Sequence, residues 1–579
     1  MKKLARYLRY FKKEVILGPV FKLTEAIFEL IVPLVMAKII DVGIANGNTG
    51  YIYRMGCVLI LLGVVGLSCA LVCQYMASKA SQGVGTMIRN ELFAHINTLS
   101  HAEVDKLGTS SLVNRITNDV NQIQVAVAML IRLVVRAPFL VIGATVMAMM
   151  LDLKLSVIFW IAAVLVAAVL YLVMKQSIPF YRVIQKKLDK IGLITRENLE
   201  GVRVIRAFSK QYVEKERFAN ANEDHAQTAV RVGKISALLN PLTFLIMNLA
   251  IVAIVWFGGI QVNLGALSQG EVIAFVNYIT QILLALVVVA NLVIIFTKAS
   301  ASAARINEVF ETQSSVQEPQ KEPISVKPDK NTPKVEFRNA AFSYGESGEA
   351  AIRGVNVKIY AGETVGIIGA TGSGKSTLIN LIPRFYDATE GAVLVDGVDV
   401  REYPFEQLRG QIGMVPQRAV LFYGTVEENM RWANENATHE DIVKAIEIAQ
   451  AKEFVEKLPK QYDTVILQGA KNVSGGQKQR LTIARALVGH PSILILDDSS
   501  SALDFATDAA LRKAIKHEIA DATVFIVSQR ANSIKYADKI IVLDDGEVAG
   551  IGTHEELFEH CEEYREICLS QLSGEEVHK

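Results

Sequence analysis

The chain has 579 residues, of which 51% are apolar and 21% charged, with a formal net charge of +1 and a mean hydropathy of +0.30. That balance is too apolar for an ordinary soluble enzyme and too charged for a purely membranous protein. The charge is also unevenly divided, about +13 before position 310 and about −12 after it, which points to two domains in different surroundings.

The first residues, MKKLARYLRYFKKEV, are basic and amphipathic and lead into an apolar run without a small-residue cleavage site. This predicts a helix on the cytosolic membrane surface rather than a cleaved signal. Six apolar stretches are long enough to cross a bilayer core, which takes about 20 helical residues: Val15 to Ile44, Met55 to Ala77, Ala128 to Leu151, Leu155 to Met174, Pro241 to Val262 and Glu271 to Phe296. Short connections (45–54, 152–154, 263–270) alternate with two long polar stretches, Ser78 to Val127 and Lys175 to Asn240. The long stretches hold most of the Lys and Arg, including Arg182, Lys186, Lys187, Lys190, Arg196, Arg203 and Arg206, whereas the short connections hold little beyond Arg54 and Lys154. By the positive-inside rule both termini and both long stretches face the cytosol of a cell membrane. Their three- and four-residue apolar spacing predicts helices that continue beyond the bilayer.

Lys22, Glu25 and Glu29 sit at helical spacing in the first stretch, and Arg132 and Arg136 share a face near the start of the third. Charges at such depth cost several kcal/mol unless paired or facing water. They are expected either to bridge helices as ion pairs or to line a central cavity, where Glu25 or Glu29 would attract cationic cargo. Cys57, Cys69, Cys73, Cys561 and Cys568 show no paired or metal-type spacing, which fits a reducing cytosolic side, and Cys69 and Cys73, on one helical face, read as small core hydrophobes.

Residues 311–334 are polar and proline-bearing, which predicts a linker between a membrane domain at 1–310 and a second domain at 335–579. Beyond it VEFRNAAFSY, TVGIIG, AVLVDG, IGMVPQ, SILILDD, ATVFIVS and KIIVLDDGEV alternate with helical patterns, the mark of an α/β domain. Thr364 to Ile368 runs into GATGSGKST, a strand, a glycine-rich turn and a helix start. Gly369, Thr371, Gly372, Ser373, Gly374 and Thr377 would wrap backbone N–H groups around phosphates, Lys375 would reach the β- and γ-phosphates, and Ser376 would hold magnesium with Asp497 at the end of SILILDD. ATP and magnesium are therefore the expected cofactors.

The stretch VSGGQKQRLTIARAL, just before SILILDD, resembles the signature segment of ABC transporters, with Ser474, Gly475, Gly476 and Gln477 matching its core. Tyr344 resembles the aromatic that stacks on adenine, Gln417 the glutamine loop that also reaches the magnesium, and Ser501, Ala502, Leu503 and Asp504 the dimer-contact loop. With six spans ahead of one such domain, nearly the whole chain is similar to an ABC exporter half-transporter. The resemblance implies a six-span α-helical membrane domain followed by an α/β P-loop ATPase domain. It also implies a dimer in which each P-loop closes on the other subunit's signature, and coupling turns near His101 to Ser111 and Asn198 to Arg203. Drugs, lipids or peptides of amphipathic character are the implied cargo, and nucleic acid is not a partner. No peptidase-like stretch precedes the membrane half, which disfavours an exporter that cleaves leader peptides. An importer is disfavoured and a soluble ABC ATPase is excluded by the six spans, while an ATP-gated channel or sensor of the same fold is an alternative.

Two positions depart from the family pattern. Asp498 stands where the resemblance implies the glutamate that polarises water, and Gln529 where it implies the switch histidine. A shortened carboxylate forfeits positioning and a glutamine cannot make a charge-assisted contact. The expectation is a degenerate site that binds ATP and hydrolyses it slowly. The chain would then be half of a heterodimer with a second half-transporter, its Ser474 to Gln477 completing the partner's competent site; a slow homodimer is the alternative.

Overall fold

The computed structural model describes residues 3–319, 324, 331–345 and 348–571, so most of the expected linker lies outside the described residues. The chain divides into two compact units, Met1–Asn97 with Ser110–Glu311, and Thr98–Thr109 with Thr312–Lys579.

The first unit is wholly helical. Among the described residues five helices are long and apolar enough to cross a membrane: Thr49–Ile96, Thr109–Leu151, Leu153–Glu200, Gln211–Asn263 and Gln269–Glu311, of 43 to 53 residues. At about 1.5 Å per residue they run to roughly 65–80 Å, twice a hydrocarbon core or more, as the periodicity of the polar stretches predicts. The first expected span is not among the five. Its helix, Lys12–Lys38, continues through Pro19 and Pro33, but Lys22, Glu25 and Glu29 interrupt the apolar run. Those charges are matched inside the unit: Lys22 Nζ lies 2.6 Å from Glu25 and Arg136 2.6 Å from Glu29. The second pair ties this helix to Arg136–Leu151.

Small residues let these helices approach closely, as membrane packing requires. Ala26, Ala144 and Ala274 are fully buried beside Phe159, Phe275 and Tyr278, and the Tyr278 hydroxyl donates to the Leu30 carbonyl at 2.8 Å.

In the second unit an antiparallel sheet and a mostly parallel one enclose a common core. The strands are β1 (Val335–Ser343), β2 (Ala350–Ile359), β3 (Thr364–Ile368), β4 (Glu390–Val395), β5 (Val398–Asp399), β6 (Ile412–Val415), β7 (Gly424–Thr425), β8 (Val465–Ile466), β9 (Ile493–Asp497), β10 (Thr523–Val527), β11 (Lys539–Asp544) and β12 (Glu547–Gly552). The antiparallel sheet has the order β2-β1-β4-β5, the larger one β12-β11-β3-β10-β9-β6, and β7-β8 form a small ribbon. Strand β2 answers to no expected run. KIIVLDDGEV, read as one run, is the β11–β12 hairpin, turned at Asp545 (φ 41°) and Gly546 (φ 82°). Positive φ at both central residues is the turn whose twist matches the strands, and Asp-Gly is suited to it.

Strand register decides which ends meet. Val527 of β10 pairs with Ile367 of β3 on one side and Asp497 of β9 on the other, so the C-terminal ends of β3, β10 and β9 lie side by side. Helix His101–Leu107 belongs to this unit, with the His101 ring 4.5 Å from the Phe385 ring. That is one of the two stretches expected to couple the halves; the other, Asn198 to Arg203, spans the break at Gly201 between helices Leu153–Glu200 and Val202–Ala207.

Candidate functional site

A cleft of about 430 Å³ opens where β3, β10 and β9 end, lined by residues that include Tyr344, Thr371, Gly374, Lys375, Asp498 and Gln529. Its floor is the glycine-rich turn. Gly369, Gly372 and Gly374 have φ of 155°, 90° and 93°, conformations that side chains oppose. A Cβ on Gly374 would lie 2.5 Å from the Ala351 carbonyl oxygen, whereas above Gly372 there is nothing within 4 Å. The turn is thus pinned below and open above. Helix Lys375–Leu381 starts here, but its first turn carries the site only together with the loop N–H groups and the lysine.

Lys375 is buried, and its Nζ donates to the carbonyls of Gly369 (2.9 Å) and Ala370 (2.6 Å) and to the Ser373 hydroxyl (3.4 Å). Burial pulls its pKa down, against the pull of Asp497 and Asp498. A buried ammonium held by carbonyl dipoles, with no ion pair among the described residues, has its charge still to be matched. Phosphate matches it. The Ser376 hydroxyl donates to the Asp497 carboxylate at 3.1 Å, an all-oxygen pair of the kind magnesium takes. Burial raises the Asp497 carboxyl, with the Ser376 hydrogen bond opposing it.

Asp498 has φ 44° and its N–H donates to the Val527 carbonyl at 3.0 Å. Burial raises its carboxyl as well, with the Gln417 side chain the strongest opposing influence. Gln417 and Asp498 line the same cleft. Gln529 follows the buried Ser528 and is itself exposed. The ring of Tyr344 stands edge-on to Phe342 and Tyr386, and its hydroxyl lies 3.1 Å from that of Thr377. Ala351, Val527 and Ser528 also line the cleft; they carry no local sequence signal, Val527 and Ser528 being placed by pairing beside the P-loop strand and Ala351 by the approach of β2 to Gly374.

Ser474 to Gln477 do not line this cleft. Ser474 caps helix Gly475–Val488 reciprocally with Gln477, leaving the signature at an exposed helix start. A Cβ on Gly476 would lie 3.1 Å from the Ala502 carbonyl oxygen, so the signature and the Ser501 to Asp504 loop are neighbours. Asp504 in turn caps Phe505–Glu518 through Thr507.

A P-loop nucleotide site in a unit of this topology, on one chain with a bundle of membrane-length helices, defines a membrane-embedded ATPase. The ABC transporter transmembrane region family matches residues 15–309 and the ABC transporter family residues 352–501. An uncharacterized ABC transporter ATP-binding protein of Mycobacterium tuberculosis is 38% identical over 98% of this chain and 97% of its own. An ATP-dependent lipid A-core flippase of Syntrophus aciditrophicus is 32% identical over 90% and 86%. In fold, a bacterial Atm1-family ABC exporter with ATP bound superposes with a TM-score of 0.78, at 24% identity, over 98% of this chain and 99% of that one. The chain belongs to the ABC transporter family, as an exporter with fused transmembrane and ATP-binding domains.

Proposed function

We propose that the chain is one subunit of a heterodimeric exporter that uses ATP to move amphipathic substrates, drugs, lipids or peptides, across the cell membrane. Its own P-loop lies in a degenerate ATP site, and its Ser474 to Gln477 signature completes the competent site of a second half-transporter. The observation that carries this reading is the divided character of the cleft. Everything that grips phosphate is in place: the open glycine turn, the buried Lys375, and the Ser376 and Asp497 oxygens that, with Gln417, would hold magnesium. The groups that would act on water are a short carboxylate and a neutral glutamine. The combination favours binding over turnover. The isolated position of the signature supports its use in trans.

Residues 1–310 form the membrane domain in this reading, 311–334 the linker and 335–579 the ATPase domain. The first helix is its sixth span, the Lys22–Glu25 and Glu29–Arg136 pairs lowering the cost of its charges. The termini and the ATPase domain are cytoplasmic. The named activity of the lipid flippase relative supports lipid among the candidate cargoes.

The test is ATP hydrolysis and substrate uptake into inside-out proteoliposomes by the chain alone and co-assembled with a half-transporter that carries glutamate after its own Walker B aspartate and histidine at its switch. The pair should turn over and transport while the lone chain binds ATP with little hydrolysis. Robust hydrolysis by the lone chain would sink the heterodimer reading.

A further inference from the structure

Beyond β10 the chain leaves the sheet, and the switch segment that carries Gln529 into the cleft has little ladder to hold it. The Ser528 N–H donates to Ile367 of β3 at 3.1 Å and the Arg530 N–H to the Ser528 hydroxyl at 2.9 Å. Two further polar groups, the Gln529 carbonyl and the Ala531 N–H, are met by one side chain some 40 residues on. Gln571 donates its Nε2 to the Gln529 carbonyl at 2.8 Å and accepts the Ala531 N–H on Oε1 at 2.9 Å. A carboxamide that pairs with a carbonyl and the N–H two residues later fixes the dihedral angles between them, as a neighbouring strand would.

The clamp has a firm seat. Gln571 ends helix Glu562–Gln571, whose Tyr564 and Cys568 are fully buried against Ala531, Ile534 and Ile368, the last residue of the P-loop strand. The Tyr564 hydroxyl lies 2.8 Å from Nδ1 of His554 on the preceding helix. One apolar cluster thus joins the end of β3, the switch helix Ala531–Ile534 and both C-terminal helices.

We infer that Gln571 is a positioning residue for the switch, holding the Gln529 side chain toward bound nucleotide, so that the nucleotide affinity of this site depends on the docking of the C-terminal helix. The inference rests on the reading of the cleft as an ATP site.

The test measures binding of a fluorescent ATP analogue to the full-length protein, together with hydrogen exchange. Gln571→Ala should weaken binding about 5-fold, the scale of losing two partly exposed hydrogen bonds. Gln571→Glu, which keeps the acceptor for Ala531 and loses the donor to Gln529, should do nearly the same. Gln529→Ala should make Gln571→Ala silent, because no side chain is then left to position. Exchange of the Ala531 amide should accelerate in Gln571→Ala with the β3 and β10 amides unchanged. Leu569→Ala, an exposed change on the same helix, should match the wild type in both measurements. Wild-type affinity in Gln571→Ala, or losses that simply add in the double variant, would overturn the inference. A wild-type chain that fails to bind the analogue would instead overturn the ATP-site reading, and the Ala531 exchange would then decide whether the clamp exists.

Discussion

Replacing Asp498 by glutamate and Gln529 by histidine together should turn a binding site into a hydrolysing one, and neither change alone should do so. The carboxylate of Asp498 stops one methylene short, about 1.5 Å. Misplacement by an ångström costs about 10²-fold, so the deficit is on the order of 10²–10³, or about 3–4 kcal/mol of barrier. A missing donor to developing charge costs a similar factor. In the proposed reading both side chains would act on one transition state, so their effects are not additive. The backbone adds a second obstacle to the single change. Asp498 sits at φ 44°, where aspartate is tolerated better than longer side chains at a cost on the order of 1 kcal/mol. Phosphate release by the lone chain in nanodiscs should rise less than about 10-fold for either single variant and 10²-fold or more for the double variant. Wild-type turnover at an ordinary 1–100 s⁻¹, or full recovery with Asp498→Glu alone, would refute the reasoning.

Gly374→Ala should abolish nucleotide binding and leave the fold intact, because its φ of 93° and the Ala351 carbonyl oxygen 2.5 Å from the added Cβ force the phosphate loop to shift; nucleotide titration beside circular dichroism checks it. Glu29→Gln strands the partly buried Arg136 and should lower thermal stability by about 1–3 kcal/mol, with Glu29→Gln/Arg136→Gln recovering most of it. If the pair is structural, the double variant exports cationic and neutral substrates alike, whereas a selective loss of cationic export assigns Glu29 to cargo. Burial holds the His554 pKa below its ordinary 6.5, so the stability it contributes is fully present above pH 6.5 and is lost as pH falls through the depressed value. Thermal unfolding between pH 7.5 and 5.5 should therefore show an acid-side loss that His554→Gln reduces, and an unchanged profile would count against it.

How much of this was legible in the sequence depends on how local each constraint is. The P-loop, the Asp497 strand end and the signature are set by residues within a few positions of one another, and the structure forms each element where its pattern lies. Helices that outrun the bilayer also declared themselves through unbroken periodicity. Strand β2 had its alternation, with Ile352, Val355, Val357 and Ile359 turned inward, but Gly354 and the charged residues between them obscured it. The left-handed backbone of Asp498 has no local signature. Nor has the meeting of Gln571 with Gln529, which depends on where the last helix docks. The charges of the first helix were visible as an anomaly, but the pairing of Glu29 with Arg136, 107 residues away, required the fold.

The order β3-β10-β9 at the centre of the larger sheet separates two kinds of loss. In the proposed reading nucleotide is retained at the end of β3 together with Asp497 of β9, and water would be handled by the residues that follow β9 and β10, while the ladder that aligns all three is made of main chain and buried Ile, Leu, Val and Phe. In that reading side-chain changes at 498 and 529 leave the ladder, the glycine turn and Lys375 in place. Expression level, melting temperature and nucleotide-induced stabilisation would all register such a subunit as healthy. Only an assay that counts turnovers, subunit by subunit, tells a working ATPase from one that has kept its shape and its ligand and given up the reaction.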